Sequence, residues 1–354
     1  MSERSIIQLR NQIDRIDSQI VTLLDQRVQV AQDIMSQKES DGTSLLDPTR
    51  EKQIIDRLKK EAKQIPDSSL RKIFYELFSI SRNLSKELVI AFLGPETTFS
   101  HLAARNRFGS QVDFVACRTI EDVFEEVEKN RVDYGVVPIE NSSQGAVIDT
   151  LSKLFYTDLN VIGEIYIPIQ HCLLSRHPLN EIKKLYSHRQ PLAQCRDWIL
   201  KNLSHAEIIE TSSSAKAAEQ ASLYHHSAAI GSHLAGKKYN LNLVVEGIED
   251  VKDNTTRFLV LGPEPVKKGP KSKTLIIFST EHRSGALYQA LESFAVNHVS
   301  MTMIESKRTR EEQWRYIFYV DMEGHQEDPN VHKALEELKE KTSLLKILGS
   351  YPAE

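Results

Sequence analysis

Cysteine is scarce in this chain: Cys117, Cys172 and Cys195 are the only three in 354 residues. Their odd number and wide spacing exclude a disulfide framework and give no zinc pattern. Long apolar runs are also missing. No stretch approaches the ~18 uncharged apolar residues of a membrane-spanning helix. The opening MSERSIIQLRNQID lacks the apolar core of a secretory signal. Nor does charge of one sign dominate. Forty-five Lys and Arg against 49 Asp and Glu leave a net charge of −4, which argues against a nucleic-acid partner recognised through a basic field. The 12 histidines show no HExxH-type spacing, and the adjacent His225-His226 suit neither one helix face nor a chelate. Walker loops, dinucleotide fingerprints and nucleophile elbows are absent, so nucleotide, metal and covalent-serine chemistry have little support. With 40% apolar and 27% charged residues the composition is that of an ordinary globular protein. The length gives roughly two to three domains. The expectation is a cytoplasmic, multidomain protein with no membrane or nucleic-acid partner.

Three segments differ in period. Apolar residues at Ile6, Leu9, Ile13, Ile16, Ile20, Leu23, Val30 and Ile34 step by three and four. That is the seam of one helix of about 30 residues, suited to a partner helix. Ser40-Asp41-Gly42-Thr43 ends it. Asp47-Pro48 restarts a helix, with Asp as N-cap and Pro in the first position, and Pro66-Asp67 breaks it. A third helix places Leu70, Ile73, Phe74, Leu77, Ser81, Leu84 and Leu88 on one face. Residues 1–88 therefore read as all-helical.

From Leu88 the pattern changes. Strands are expected at 88–93, 112–116, 134–138, 160–167, 170–174, 184–187, 227–231 and 257–262. Helices are expected at 100–108, 120–130, 145–155, 191–202 and 214–223. The alternation predicts parallel α/β sheets, in one domain or two lobes. GPEPVKKGPKSK, at 262–273, reads as a linker. Beyond it come a strand (274–280), a helix (284–296), strands (299–307 and 314–322), a helix (330–342) and a strand (344–350), the βαββαβ order of a ferredoxin-like unit.

Chemistry-bearing positions stand out against this frame. Arg27 falls on the apolar seam, where a guanidinium is costly unless something anionic meets it. Lys38 follows at nearly the same helical angle, about 16 Å along the axis. The pair marks either an anion site or, on ordinary grounds, a buried structural ion pair or a snorkelling side chain. In the middle segment GPETTFS, PIENSSQG and ETSSSA each run from a strand end into a helix. Each is a good N-cap on ordinary grounds. Three together, at the strand ends of an α/β domain, converge on an anion-binding crevice.

IIQLRNQIDRIDSQIVTLLDQRVQVAQDI, Lys38 and LLDPTREKQII resemble the all-helical chorismate mutase family over essentially all of 1–88. The resemblance implies an intertwined dimer binding a dicarboxylate. Arg10, from the opposite protomer, and Arg27 hold carboxylates. Lys38 bonds the breaking ether oxygen. Asp47 and Glu51 contact the hydroxyl or nearby backbone, Arg50 supports them, and Ser81 lies on the third helix. Ser85 stands where the family usually carries a glutamine or glutamate donor. GPETTFS, YGVVPIENSSQG, SHRQPLAQC, TSSSAKAA and DNTTRF, in that order, resemble the prephenate dehydratase family over about 89–262. They imply two α/β lobes around a cleft, as in periplasmic binding proteins. Thr256 becomes the hydroxyl donor, with Thr98, Asn141, Ser142, Ser212 and Ser213 as substrate contacts and Phe258 walling the ring. His188 and Gln194 match the family's SH-to-Q segment, Arg257 reads as an ion-pair partner, and Thr97 replaces a frequent glycine. KTLIIFSTEHRSGALYQALESFAVNHVSMTMIESKR resembles ACT regulatory domains that bind phenylalanine, through Gly285-Ala286-Leu287 and Glu305-Ser306. Lys307-Arg308 departs from the usual Arg-Pro.

The three in this order resemble the bifunctional P-protein family, chorismate mutase/prephenate dehydratase. Domains are expected at 1–88, 89–265 and 272–354. Chorismate and prephenate are the expected substrates, phenylalanine the effector, a homodimer or homotetramer the assembly, and no cofactor or metal is implied. Two alternatives are a dehydratase with a weak or purely regulatory mutase domain, and a non-catalytic sensor of amino acids or small anions.

Overall fold

A computed structural model describes residues 6–41, 43–308 and 316–354. Gly42 of the expected turn and residues 314 and 315 of an expected strand lie outside these. The heptad seam forms one helix, α1 (Ile6–Ser40), whose Ile13, Ile16, Ile20 and Val30 are exposed to solvent. Helix α2 (Pro48–Glu61) opens as the sequence dictates: Asp47 Oδ1 accepts from the Arg50 N–H at 2.9 Å. Helix α3 (Asp67–Asn83) ends earlier than the expected apolar face requires. The Ser85 and Lys86 N–H groups both bond to the Arg82 carbonyl, turning the chain toward a strand at Val89, so Leu84, Ser85 and Leu88 lie beyond the helix. The face α3 buries carries Leu70 and Ser81 of the expected face together with Tyr75, Phe78, Ser79 and Arg82, whereas Ile73 and Leu84 are exposed.

The first lobe follows as β1 (Val89–Leu93), α4 (Phe99–Phe108), β2 (Asp113–Cys117), α5 (Ile120–Glu128), β3 (Tyr134–Asn141), β4 (Gly145–Ala146), α6 (Ile148–Tyr156) and β5 (Asn160–Pro168). The chain then crosses into a second lobe. It comprises β6 (Cys172–Ser175), a 3-10 turn (Leu179–Glu181), β7 (Lys184–His188), α7 (Arg189–Gln194), α8 (Arg196–Asn202), β8 (Glu207–Thr211), α9 (Ser214–Leu223), β9 (Ser227–Gly231), α10 (His233–Lys238) and β10 (Asn242–Glu246). Strand β11 (Thr255–Gly262) returns to the first lobe.

The expectation of purely parallel sheets needs correction. In the first sheet, of order β2-β1-β3-β11-β5, strand β1 is parallel to β2 and β3, but β11 is antiparallel to both β3 and β5. A strand returning from the second lobe enters from the cleft end and runs against its neighbours. The second sheet, β10-β6-β9-β7-β8, is mixed for the same kind of reason. Strands β8 and β10 escape the sequence reading because their side chains stay largely at the surface and their apolar runs, Ile208-Ile209 and Leu243-Val244-Val245, are short.

The C-terminal segment holds β12 (Ser272–Ser279), α11 (Ala286–Val296), β13 (Met301–Arg308), β14 (Tyr316–Glu323), α12 (Pro329–Lys341) and β15 (Leu344–Pro352). Its antiparallel sheet has the order β13-β14-β12-β15, as in ferredoxin-like units. Helices α11 and α12 cover one face. The other face is fused to the first lobe: Leu275, Ile277, Ile317, Tyr319 and Leu348 share one core with Val123, Phe124, Leu151 and Leu154. Gly349, at φ +148, lets β15 approach β5, since a Cβ there would sit 2.4 Å from the Val161 carbonyl oxygen. The linker is docked rather than free, Thr49 Oγ1 donating to the Lys267 carbonyl at 2.7 Å. None of the described helices is long and apolar enough to cross a membrane.

Candidate functional site

Between the two lobes lies a cavity of about 460 Å³. Strand β11 supplies its central groups. Side chains alternate along a strand, so Thr256 and Phe258 face the cavity while Arg257 points the other way, into the C-terminal module. Thr256 Oγ1 accepts a hydrogen bond from Asn141 Nδ2 at 2.8 Å. The amide is fixed in that orientation. Its Oδ1 takes the Ser143 N–H at 3.0 Å, the Ser143 hydroxyl at 2.6 Å and the Gln144 N–H at 3.1 Å, and its Nδ2 also reaches Asn254 Oδ1 at 2.8 Å. With its lone pair engaged by Asn141, the Thr256 hydroxyl is left to donate into the cavity.

Two helix N-termini open onto the same space. Thr98 caps α4 and Ser213 caps α9, its hydroxyl accepting from the Lys216 N–H at 3.1 Å. Both line the cavity, with Ser212 between strand and helix. The third expected cap is different. ENSSQG forms an Asn141-centred turn into β4, and α6 starts later, after Val147, without a side-chain cap. Ser142 does not line the cavity; its Oγ accepts the Thr255 N–H at 3.0 Å and locks the turn to β11. Among the described lining residues none is Asp, Glu, Lys or Arg. An anion here is met by hydroxyls, amides and free N–H groups.

Sequence reasoning missed several residues. His171 faces the cavity, its Nε2 2.7 Å from Gln194 Oε1. Burial lowers its pKa, against the Gln194 hydrogen bond, and favours the neutral ring. Gln190 Nε2 reaches across to Gln144 Oε1 at 2.9 Å, and Ser232 Oγ donates to the Thr97 carbonyl at 2.6 Å, so side chains of the second lobe bond to the first. His188 and Gln194, unlike these, are matched in the sequence, and His188 lines the cavity as the cap of α7. The only sequence signal was the capping pattern of Ser232 before its helix. All three cysteines are buried, and burial raises the Cys117 and Cys172 thiols to about 11 and Cys195 higher still, which disfavours the thiolate.

The helical residues assemble in part. Arg27 Nη1 donates to Ser81 Oγ at 3.2 Å, and its guanidinium lies 5.2 Å from the Phe78 ring centroid. Burial lowers the pKa of Arg27, against the attraction of Glu51, and no carboxylate pairs with it among the described residues. Lys38 lies 3.9 Å from Asp47 Oδ2 and donates to the Ser44 carbonyl at 3.3 Å. Glu51 is engaged elsewhere: both carboxylate oxygens are buried against Arg82 and Arg107, joining α2, α3 and α4. Burial pushes its pKa up, but Arg82 and Arg107 outweigh that and hold it below the usual range. Arg10 and Arg50 are exposed. Ser85 sits past the end of α3, so it does not continue the Ser81 face as the sequence spacing suggested.

A second cavity, of about 370 Å³, lies in the C-terminal module and is lined by Arg283, Ala286, Leu287, Ser306, Tyr316 and Phe318, among others. Gly285 caps α11 in the left-handed region, at φ +80. Glu305 alternates to the opposite face of β13 from Ser306, and Lys307 Nζ bonds Ser152 of the first lobe.

Two α/β lobes closing on an uncharged, hydroxyl-lined cleft, preceded by a helical unit, define a multidomain enzyme of small-anion chemistry. Residues 90–266 match the prephenate dehydratase family and residues 9–86 match type II chorismate mutase. A bifunctional chorismate mutase/prephenate dehydratase of Aquifex aeolicus is 42% identical over 351 residues, covering 98% of this chain and 97% of that protein. The protein of the same description from Escherichia coli K12 is 33% identical, covering 100% of this chain and 97% of its own. Among solved structures, a prephenate dehydratase of Arthrobacter aurescens in complex with L-Phe is 31% identical, with TM-score 0.69, and the match spans 75% of this chain and 90% of that one. A quorum quenching acylase, GqqA, is 30% identical at the same TM-score, over 75% of this chain and 98% of its own. The chain belongs to the bifunctional chorismate mutase/prephenate dehydratase family. That placement sets aside the sensor alternative.

Proposed function

We propose that this bifunctional enzyme works at two separate sites and is controlled at a third, in domains spanning 1–88, 89–265 and 272–354. Chorismate is rearranged to prephenate in the helical domain. Prephenate becomes phenylpyruvate in the two-lobed cleft. The observation that carries the second assignment is the Thr256 hydroxyl, oriented by Asn141 in a cleft without charged side chains.

Prephenate carries two carboxylates and a ring hydroxyl. As the ring carboxylate leaves as carbon dioxide, its bonding electrons enter the ring and expel the hydroxyl. That group departs as water after taking up one proton. Thr256 supplies the hydrogen bond along which this proton arrives, and solvent replaces it. Aromatisation drives the step, so a positioned donor suffices where a strong acid is not needed. The N-terminal turns of α4 and α9, with Ser212 and Ser213, face the carboxylates, and Phe258 walls the ring.

The Claisen rearrangement needs no acid, base or nucleophile, only a compact conformer and donors for the charge developing on the ether oxygen. Arg27 and Lys38 are those cations on one chain, and Arg10 comes from a second copy along the exposed α1 seam. Arg27→Ala is expected to lower chorismate turnover at least about a hundredfold and leave prephenate turnover intact, because no neighbouring cation replaces it. A steady-state chorismate assay decides, and unchanged turnover refutes the assignment.

The C-terminal module is an ACT domain whose cavity at Ala286, Leu287 and Phe318 receives phenylalanine, its carboxylate at the N-terminal turn of α11. Because this module shares a core with the first lobe, truncation is a poor test. Ala286→Phe, which fills the cavity, is expected to abolish inhibition by phenylalanine and its calorimetric binding, with uninhibited dehydration retained. An unaltered response places the effector elsewhere.

A further inference from the structure

The second lobe brings together three residues that the sequence keeps apart and that neither reaction uses. His177 follows β6, Glu181 closes the 3-10 turn, and His226 leads into β9. His177 Nδ1 lies 3.5 Å from Glu181 Oε2, and His226 Nδ1 lies 3.9 Å from the same oxygen. One donor atom from each of the three lies within 4.8 Å of the other two.

These separations are too long for hydrogen bonds, which need about 2.7–3.2 Å. His226 Nδ1 is buried and has no hydrogen-bond partner among the described residues. Two imidazoles therefore converge on one carboxylate without being satisfied by it. Bonds of about 2.0–2.2 Å to a zinc ion would set ligand atoms roughly 3.3–3.6 Å apart in a tetrahedron. Small side-chain shifts close the set to that spacing. The backbone holds the ligands ready. The His177 N–H donates to Ser175 Oγ at 3.0 Å, and the His226 carbonyl accepts from the Lys183 N–H at 2.8 Å, just beyond Glu181. His225 adds a further imidazole, its ring centroid 5.9 Å from that of His177.

We propose that His177, Glu181 and His226 form a divalent-metal site for Zn²⁺ or an ion of similar borderline softness. Two imidazole nitrogens and one carboxylate oxygen suit such ions and disfavour Mg²⁺ and Ca²⁺, which take oxygen ligands. The site is remote from the chemistry. The chain runs from His171 in the cleft along β6 to Ser175 near His177, so the ion sits roughly 15 Å from the cavity, at the other end of the sheet. Its task is to tie the β6–β7 connection to the start of β9, which adds stability through linkage.

The test uses untagged full-length protein and Zn²⁺ alone. Calorimetry should show one ion bound per chain, with a raised thermal midpoint, and excess Mg²⁺ should not compete. Co²⁺ loading should give the visible bands of an imidazole-bound ion. His226→Gln and His177→Gln should each weaken Zn²⁺ binding at least about tenfold, with prephenate turnover and the metal-free thermal midpoint unchanged. Absence of stoichiometric binding overturns the proposal. So does binding that survives both substitutions, which would place the ion at other histidines.

Discussion

Replacing Thr256 with valine is expected to lower prephenate turnover at least about a hundredfold, the usual loss when one donor to a developing charge is removed. Valine keeps the β-branched shape that suits a strand and deletes only the hydroxyl. The Thr256→Val variant should therefore stay folded, and its chorismate turnover should match the parent, since the helical residues lie in another domain. Thr256→Ser restores the hydroxyl on a less restrained side chain and should recover most of the rate. Asn141 gives a further check. Its Nδ2 engages the threonine oxygen at 2.8 Å while Ser143 and Gln144 fix its other end. Asn141→Ala should slow dehydration less than Thr256→Val, because the donor remains while its aim is lost. Steady-state assays with each substrate decide the matter. Valine at wild-type rate removes Thr256 from the mechanism, and an equal fall in both activities points to a folding defect instead.

Local signals in the sequence carried far. The three-and-four steps of α1, the Asp47 cap and the Thr98 and Ser213 caps all stand where nearest-neighbour rules put them. Those rules report which face of an element is apolar, not what covers it. The end of α3 lies outside their reach for that reason, since the demand to start β1 at Val89 comes from the sheet and not from the helix. The same limit hid His171, whose partner Gln194 lies on a different element, and Asn254, which meets Asn141 only because β11 returns antiparallel beside β3. Glu51 shows it most sharply. On its helix it is an exposed-looking carboxylate near a cap, and only the packing of α4 against α3 brings Arg107 to it. Gly109, at φ +79, permits that packing, because a Cβ there would sit 2.5 Å from the Ser79 Cβ.

Removing the carboxylate of Asp321 is expected to be among the most destabilising single changes in the chain. Arg257 leaves β11 on the face opposite Thr256 and is buried between Glu164, 2.8 Å from its Nε, and Asp321. Tyr351 accepts from Arg257 at 2.8 Å and donates to Asp321 Oδ1 at 2.6 Å, and Lys273 lies 3.0 Å from Glu164. Two cations and two carboxylates thus balance inside the contact between the first lobe and the C-terminal module. Asp321→Ala leaves a buried guanidinium short of one partner, a loss of about 3–5 kcal/mol, read as a lowered urea midpoint. The cluster is also placed to carry a signal. Strand β14 holds both Phe318 at the proposed effector cavity and Asp321, while β11 holds both Arg257 and Thr256. The gentler Asp321→Asn keeps the shape and removes the charge. If phenylalanine acts through this contact, that variant should bind the amino acid nearly as before, while inhibition of dehydration weakens at least about fivefold, the lower end of ordinary coupling between sites. Calorimetry and the dehydratase assay on the same sample separate the two effects. Full inhibition in Asp321→Asn would show that the two modules communicate through their shared apolar core and not through the buried charges.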